Sequence, residues 1–208
     1  MTPLSSTLAR MTTADDLDER RRCVLEVAGR VLAEQGPHGL SLRRIAAEAG
    51  GSTQLVYTLF GGKPGLGDAL YQEGFRRLST SMRTAAEAAP LGDPERLVGL
   101  GRGYRAFALA EPDFFSVMFG RAIPGFSPSR PVRSAMRSQT FGQVLTAAQA
   151  CLDAGTMQAA DAPTLARACW VTAHGLAALE TAGLLAVEDT DAFAETVLRG
   201  PVDGFRPR

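Results

Sequence analysis

The chain has 208 residues, 45% hydrophobic and 21% charged, a balance that excludes wholesale disorder. Area scaling gives roughly 70% of the unfolded surface buried on folding, enough for a core without disulfide or metal staples. Lysine plus arginine number 22, as do aspartate plus glutamate, which excludes a uniformly polybasic protein but not a local basic patch.

Residues 1–17 read as a flexible tail. From there the apolar spacing is helical, and no period-2 run suggests a strand. The pattern predicts an all-α chain of about nine helices. The first covers about 18–35, with Val24, Ala28, Val31 and Leu32 on one face, and stops at Gly36-Pro37. Ser41 is placed to cap a short second helix carrying Leu42, Ile45, Ala46 and Ala49, and Gly50 to end it in the left-handed conformation. Ser52 opens a third helix with Leu55, Val56 and Leu59 inward, ended by Gly61-Gly62. Lys63-Pro64 starts a long fourth helix, with Leu66, Leu70, Gly74, Leu78 and Met82 spaced by four. Asp93 is the expected cap of the fifth, which carries Leu97, Leu100, Tyr104 and Phe107 to about 111. A short aromatic helix at 113–119 and a Pro-rich loop at 120–131 follow. The last three helices are expected at 132–155, 162–187 and 190–199, with Gly200-Pro201 ending the order and 201–208 a tail.

Helix, glycine turn, helix over about 42–61 fits a helix-turn-helix, in which a small residue such as Ala46 lets the two helices approach. The third helix would enter the major groove. Its outward positions, Thr53, Gln54, Tyr57 and Thr58, carry chemistries that read base edges and phosphates. Residues 20–67 hold seven cations and three anions, so a neutral chain contains a local positive segment.

Three blocks carry a family resemblance: Val24-Leu25-Glu26-Val27-Ala28 with Leu32-Ala33-Glu34-Gln35-Gly36, then Ser41 through Gly50, then Val56-Tyr57-Thr58-Leu59-Phe60-Gly61-Gly62-Lys63-Pro64-Gly65-Leu66. Over about 18–76 the chain resembles the tetracycline-repressor (TetR) family of transcriptional regulators. Trp170 followed by His174-Gly175-Leu176 resembles that family's Trp-His-Gly type of C-terminal domain, and the segment from Phe107 to Gly120 is similar to its middle part. The resemblance implies an N-terminal three-helix DNA-binding domain at 18–76 and an effector-binding and dimerisation domain at 77–200. It puts Ser41, Arg43, Thr53, Gln54, Tyr57 and Lys63 where family members touch DNA, and Arg44, Ser52 and Thr58 complete the candidate set. Gly51 stands where the family usually has Val, and Leu59 where it usually has His before Phe60.

Aromatic residues concentrate in the second half. Tyr104, Phe107, Phe114, Phe115, Met118, Phe141, Trp170 and His174 are the candidate lining of a mostly apolar effector cavity; ordinary core is the competing reading. The eighth helix is apolar nearly all round, so both sides need cover. Leu165, Cys169, Leu176 and Leu179, with Phe193 and Val197 of the ninth helix, are the candidate two-fold dimer contact. The implied function is a repressor that binds a palindromic double-stranded DNA operator as a homodimer and is released by a small effector, with the fourth helix as lever. The alternative is a helical small-molecule-binding or protein-interaction module with a vestigial helix-turn-helix.

Cys23, Cys151 and Cys169 are odd in number and widely spaced, so neither a zinc site nor a disulfide framework is expected. No metal or cofactor is implied. An enzyme is not expected: His38 and His174 lie in unlike segments, and no GxSxG, HExxH or phosphate-cradling loop occurs. The first thirteen residues lack the apolar run of a signal peptide. The longest charge-free apolar stretch, 168–179, is too short for a bilayer. A soluble cytoplasmic protein without membrane contact is therefore expected.

Overall fold

The computed structural model describes residues 14–120, 123, 125–185 and 187–207. Among these the chain is all-α: α1 (Ala14–Gln35), a 3-10 turn (Pro37–Gly39), α2 (Leu42–Glu48), α3 (Thr53–Phe60), α4 (Lys63–Ala86), α5 (Glu95–Ala110), α6 (Pro112–Phe119), α7 (Arg130–Asp153), α8 (Ala162–Thr181) and α9 (Thr190–Gly204). Most of the expected N-terminal tail lies outside the described residues. Its last four residues are helical instead, where Asp16 and Asp18 supply the negative charge that a helix N-terminus favours.

Gly50 ends α2 as expected. It is left-handed at φ 70°, its N–H donates to the Ala47 carbonyl, and the Gly51 N–H donates to Ala46. This paired bonding satisfies carbonyls that the helix end would otherwise orphan. Ser41 and Ser52 hold the N-cap positions with extended backbone, but neither side chain makes a capping hydrogen bond. Asp93 does cap its turn: Oδ1 accepts from the Glu95 N–H at 2.9 Å.

Two boundaries differ from expectation. The eighth helix stops at Thr181 rather than 187, because Gly183 is left-handed at φ 68° and the Leu184 N–H folds back to the Leu179 carbonyl at 2.9 Å. The ninth helix does not stop at Pro201 but runs to Gly204. Proline there sacrifices one hydrogen bond in the last turn. Burial of Val202 and the bond from the Gln158 N–H to the Phe205 carbonyl, 2.7 Å, hold the segment in place.

Helices α4 and α5 approach closely along their backbones. A Cβ built at Gly103 would lie 2.4 Å from the Ser81 carbonyl oxygen and 2.6 Å from the Met82 Cα. One at Gly99 would lie 2.8 Å from the Ala85 carbonyl oxygen. The Ser81 hydroxyl donates to the Gly103 carbonyl at 2.8 Å. One continuous buried cluster runs from Val24 of α1 to Val202 of α9. Besides α4, which packs on α1 and α3, α6 links the N-terminal helices to the rest: Phe114 packs on the bare backbone at Gly29 of α1, and the Arg77 guanidinium sits 4.6 Å over the same ring. Arg77 is held by Glu73 at 2.9 Å and Glu111 at 2.7 Å.

Gly103→Ala forces backbone apart and is expected to destabilise the chain by about 1–3 kcal/mol or more. Gly142→Ala, where nothing lies within 4 Å of the added methyl, should instead stabilise by up to about 1 kcal/mol through helix propensity. Urea unfolding of both variants measures the difference; equal midpoints would contradict the close contact.

Candidate nucleic-acid interface and sensor core

In α3, Val56 and Phe60 are buried, and this turns Gln54, Tyr57 and Thr58 outward; Thr53 is half-buried. Tyr57 is 52% exposed, with its ring edge over Gly62, where a Cβ would come within 2.9 Å of Cε1. Ser41 and Arg43 beside α2, Ser52 at the α3 entrance and Lys63 at the start of α4 are also exposed. Among the described residues, no hydrogen bond or ion pair engages the Arg43 or Lys63 side chains.

Arg44 is differently placed. Its guanidinium donates to Glu48 at 2.6 Å and also to Gln35. Arg30 reaches the same carboxylate at 3.3 Å. Hydrogen bonds from Arg44 first and Arg30 second hold the Glu48 carboxyl below its ordinary range. The Thr58 hydroxyl donates to the Gln54 carbonyl at 3.0 Å, a helical self-bond that a phosphate would have to displace. Leu59 packs on the core, and its carbonyl accepts from Arg21, whose guanidinium lies 4.4 Å over Phe60. Thus the position where a His is usual serves here to join α1 to α3. Gly51 leaves room that the end of Leu55 fills.

Five of the eight candidate effector residues come together. Tyr104, Phe115, Phe141, Trp170 and His174 form a continuous ring cluster that Phe119 joins, 4.8 Å from the His174 ring and 5.0 Å from Phe115, with His174 as the hub to Trp170. Phe119 was legible from its place four residues after Phe115, one turn along the same face. The Tyr104 hydroxyl lies 2.7 Å from His174 Nδ1. Burial pushes the Tyr104 phenol well up and the His174 imidazole down. Both are therefore neutral near pH 7 and share one hydrogen bond. The other three residues lie apart. Phe114 faces α1, Met118 lies against Gly74 of α4, and Phe107 is buried on α5. The rings fill their space: the cleft beside Tyr104 and Trp170 has a volume of about 10 Å³, that of a single water. A larger open groove of about 490 Å³ lies between α4, α5 and α7.

The candidate dimer residues divide. Leu165 and Leu176 are buried in the protomer's own core. Cys169 lines the closed cleft, and burial pushes its thiol up to about 12. The uncovered apolar side of α8 is instead Val171, 61% exposed, with Gly175, Ala178 and Leu179, 47% exposed. Phe193 is exposed and Val197 half-buried on α9. Helical spacing accounts for the division: Leu165, Cys169 and Leu176 share the inner face, which reads 165, 169, 173 and 176, while Leu179 lies with Val171 on an outer face offset by two residues.

An N-terminal helix-turn-helix carried on an all-helical second domain defines the class of helix-turn-helix regulators. The family model for bacterial regulatory proteins of the tetR family matches residues 24–70, and the model for a tetracyclin repressor-like C-terminal domain matches 97–200. The chain belongs to the TetR family of regulators, with a DNA-binding N-terminal domain. It is similar to HTH-type transcriptional regulator Rv1816 of Mycobacterium tuberculosis, at 22% identity over 139 residues, 66% of this chain and 59% of that protein. The chain therefore matches about three fifths of the length of such curated relatives. A protein of unknown function from Rhodococcus sp. RHA1 has a similar structure, with TM-score 0.79 and 27% identity over 97% of this chain and 100% of that one. A TetR family transcription regulator from Marinobacter aquaeolei VT8 shares the fold, with TM-score 0.67 and 19% identity over 94% and 100% of the two chains. Among the described residues no helix is long and apolar enough to cross a membrane.

The depressed His174 makes stability pH-dependent. The unfolded imidazole binds its proton near pH 6.5 and the folded one only at lower pH, so stability falls as pH drops below about 6.5. Thermal midpoints between pH 7.5 and 5 should fall further for the natural chain than for His174→Gln; parallel curves would remove the assignment.

Proposed function

We propose that the chain is a transcriptional repressor that binds a palindromic operator as a homodimer and is released by a small effector. The observation that carries this reading is the exposed polar ridge of α2 and α3, flanked by Arg43 and Lys63, two cations that no carboxylate among the described residues engages. By contrast, Arg77, Arg102 and Arg105 of the second half are each paired with a glutamate. A cation left free beside a helix-turn-helix suits a phosphate. The division into a DNA-binding part at 18–76 and an effector and dimer part from 77 onward fits this assignment.

In this reading Ser41, Ser52, Tyr57 and Lys63 hold the DNA backbone, and Arg43, Thr53, Gln54 and Thr58 face base edges. Arg44 keeps α2 oriented through Glu48 and Gln35 and joins the DNA only by giving up those bonds. The homodimer uses the outer side of α8 with Phe193 of α9, since a face carrying Val171 and Leu179 needs apolar cover. Effector binding reaches the DNA-binding helices by two routes. One is α4, which runs from Lys63 to the sensor end; the other is the Phe114 contact with Gly29. Cytoplasmic action follows from the DNA partner.

Operator binding tests the contacts. Lys63→Ala should weaken binding across sequences and lower the slope of log affinity against log salt by about 1, whereas Gln54→Ala should cost about 1–3 kcal/mol at one base position and relax preference there. A chain that binds no palindrome from its own genomic neighbourhood in a salt-dependent way would favour the vestigial helix-turn-helix. Leu179→Asp should convert a particle of twice 22.0 kDa into one of 22.0 kDa by light scattering; Leu165→Asp should instead unfold the protomer, because Leu165 is core.

A further inference from the structure

The aromatic core is closed, and the open groove beside it has a different chemistry. Its volume of about 490 Å³ suits a small ligand. None of its nine lining residues is acidic, and two are arginines, Arg83 of α4 and Arg96 of α5. Among the described residues, Arg83 has no hydrogen-bond or ion-pair partner. Arg96 is fixed by donating to the Ala86 and Ala89 carbonyls at 3.1 and 2.6 Å, and no carboxylate among the described residues pairs with it. The Gln143 amide donates to Ser79 Oγ at 2.7 Å, which orients that oxygen and leaves its own proton to donate into the groove. The polar wall thus carries two cations and no carboxylate, with Gln139, Gln143 and Thr146 adding neutral groups that donate or accept.

The remaining surface is apolar. Leu91 stands 60% exposed at the mouth. Leu100 forms the floor and is shared with the tight cleft bounded by Met82, Tyr104 and Trp170. A purely apolar ligand would bury these guanidinium groups without compensation, whereas an anionic head makes charge-assisted, paired hydrogen bonds with them.

We propose that the effector is a small amphipathic anion, its head group on Arg83 and Arg96 and its alkyl part over Leu100 toward the Tyr104–Trp170 cleft. This rests on the reading of the chain as effector-regulated and replaces a mostly apolar ligand with a charged one. Entry of the alkyl part past Leu100 opens the closed cleft and displaces α5 and α7 relative to α4, the helix whose first residue is Lys63.

Trp170 is the chain's one tryptophan and lines the cleft, so its fluorescence reads the site directly. The full chain is titrated below micellar concentration with decanoate, decyl phosphate, decanol and decyltrimethylammonium, with calorimetry in parallel. At least one of the two anions is expected to bind about tenfold more tightly than decanol or the cation, and the tighter anion identifies the head group. Arg83→Gln should abolish that preference. Gly142→Phe should block all binding by filling the groove, since nothing lies within 4 Å of a Cβ there. Equal binding of decanol and both anions, no anion binding, or anion binding indifferent to Arg83→Gln and Gly142→Phe in folded protein overturns the proposal. Arg83-dependent binding that leaves operator affinity unchanged supports the groove and removes the release mechanism. Operator binding with no Arg83-dependent ligand overturns the groove and leaves the DNA-binding reading standing.

Discussion

The approach of α5 onto α4 is the contact on which the rest of the molecule depends. Gly99 and Gly103 are one helical turn apart, and each faces α4 backbone at a distance no Cβ could occupy. That closeness sets where everything else on α5 lies. Tyr104 is carried to His174, and Arg105 to Glu180 on α8 and Asp191 on α9. Arg102 is carried to Glu195 on α9. At 24 residues α4 is about 36 Å long, enough to run from the helix-turn-helix to the groove. A shift between α4 and α5 therefore changes the geometry at both ends.

Charge is distributed unevenly around this frame. Arg77, Arg102, Arg105 and Arg199 are paired with Glu73, Glu111, Glu95, Glu195 and Glu180. Most of these pairs are partly exposed and contribute little to stability. They orient α5, α8 and α9 relative to one another. Arg43 and Lys63 at one end and Arg83 at the other make no ion pair among the described residues, and they lie where the two proposed ligands carry negative charge. Arg22, Arg130, Arg133, Arg137 and Arg167 make none either, so zero net charge is the sum of paired arginines and of others spread over the surface.

The α8 helix has to satisfy more surroundings than a helix usually does. One side packs through Leu165, Ala166, Ala173 and Leu176 in the core. Another sends Trp170 and His174 into the ring cluster. The remaining side, with Val171 and Leu179, is left apolar and uncovered in the protomer. Small residues such as Ala173 and Ala177 let neighbours come close, and the long aliphatic ones divide between inside and outside.

Much of the fold was legible in the sequence, because local rules act within a few residues. The spacing of Val24, Ala28, Val31 and Leu32 marks the inner face of α1, and all four are buried. Gly50 and Gly61 mark helix ends through the left-handed conformation that glycine alone adopts at little cost. The helix-turn-helix and its outward residues were legible for the same reason. What only the tertiary structure decided involves residues far apart in the chain. Sequence spacing left the two sides of α8 equivalent, and contact with α5 and α7 made Leu165, Cys169 and Leu176 the inner one. Arg44 read as a DNA contact until folding brought Gln35 to it. The aromatic set read as a cavity lining, and packing closed it to the volume of one water. Periodicity says which residues share a face; only the neighbours that fold against that face decide whether it becomes core, cavity or surface.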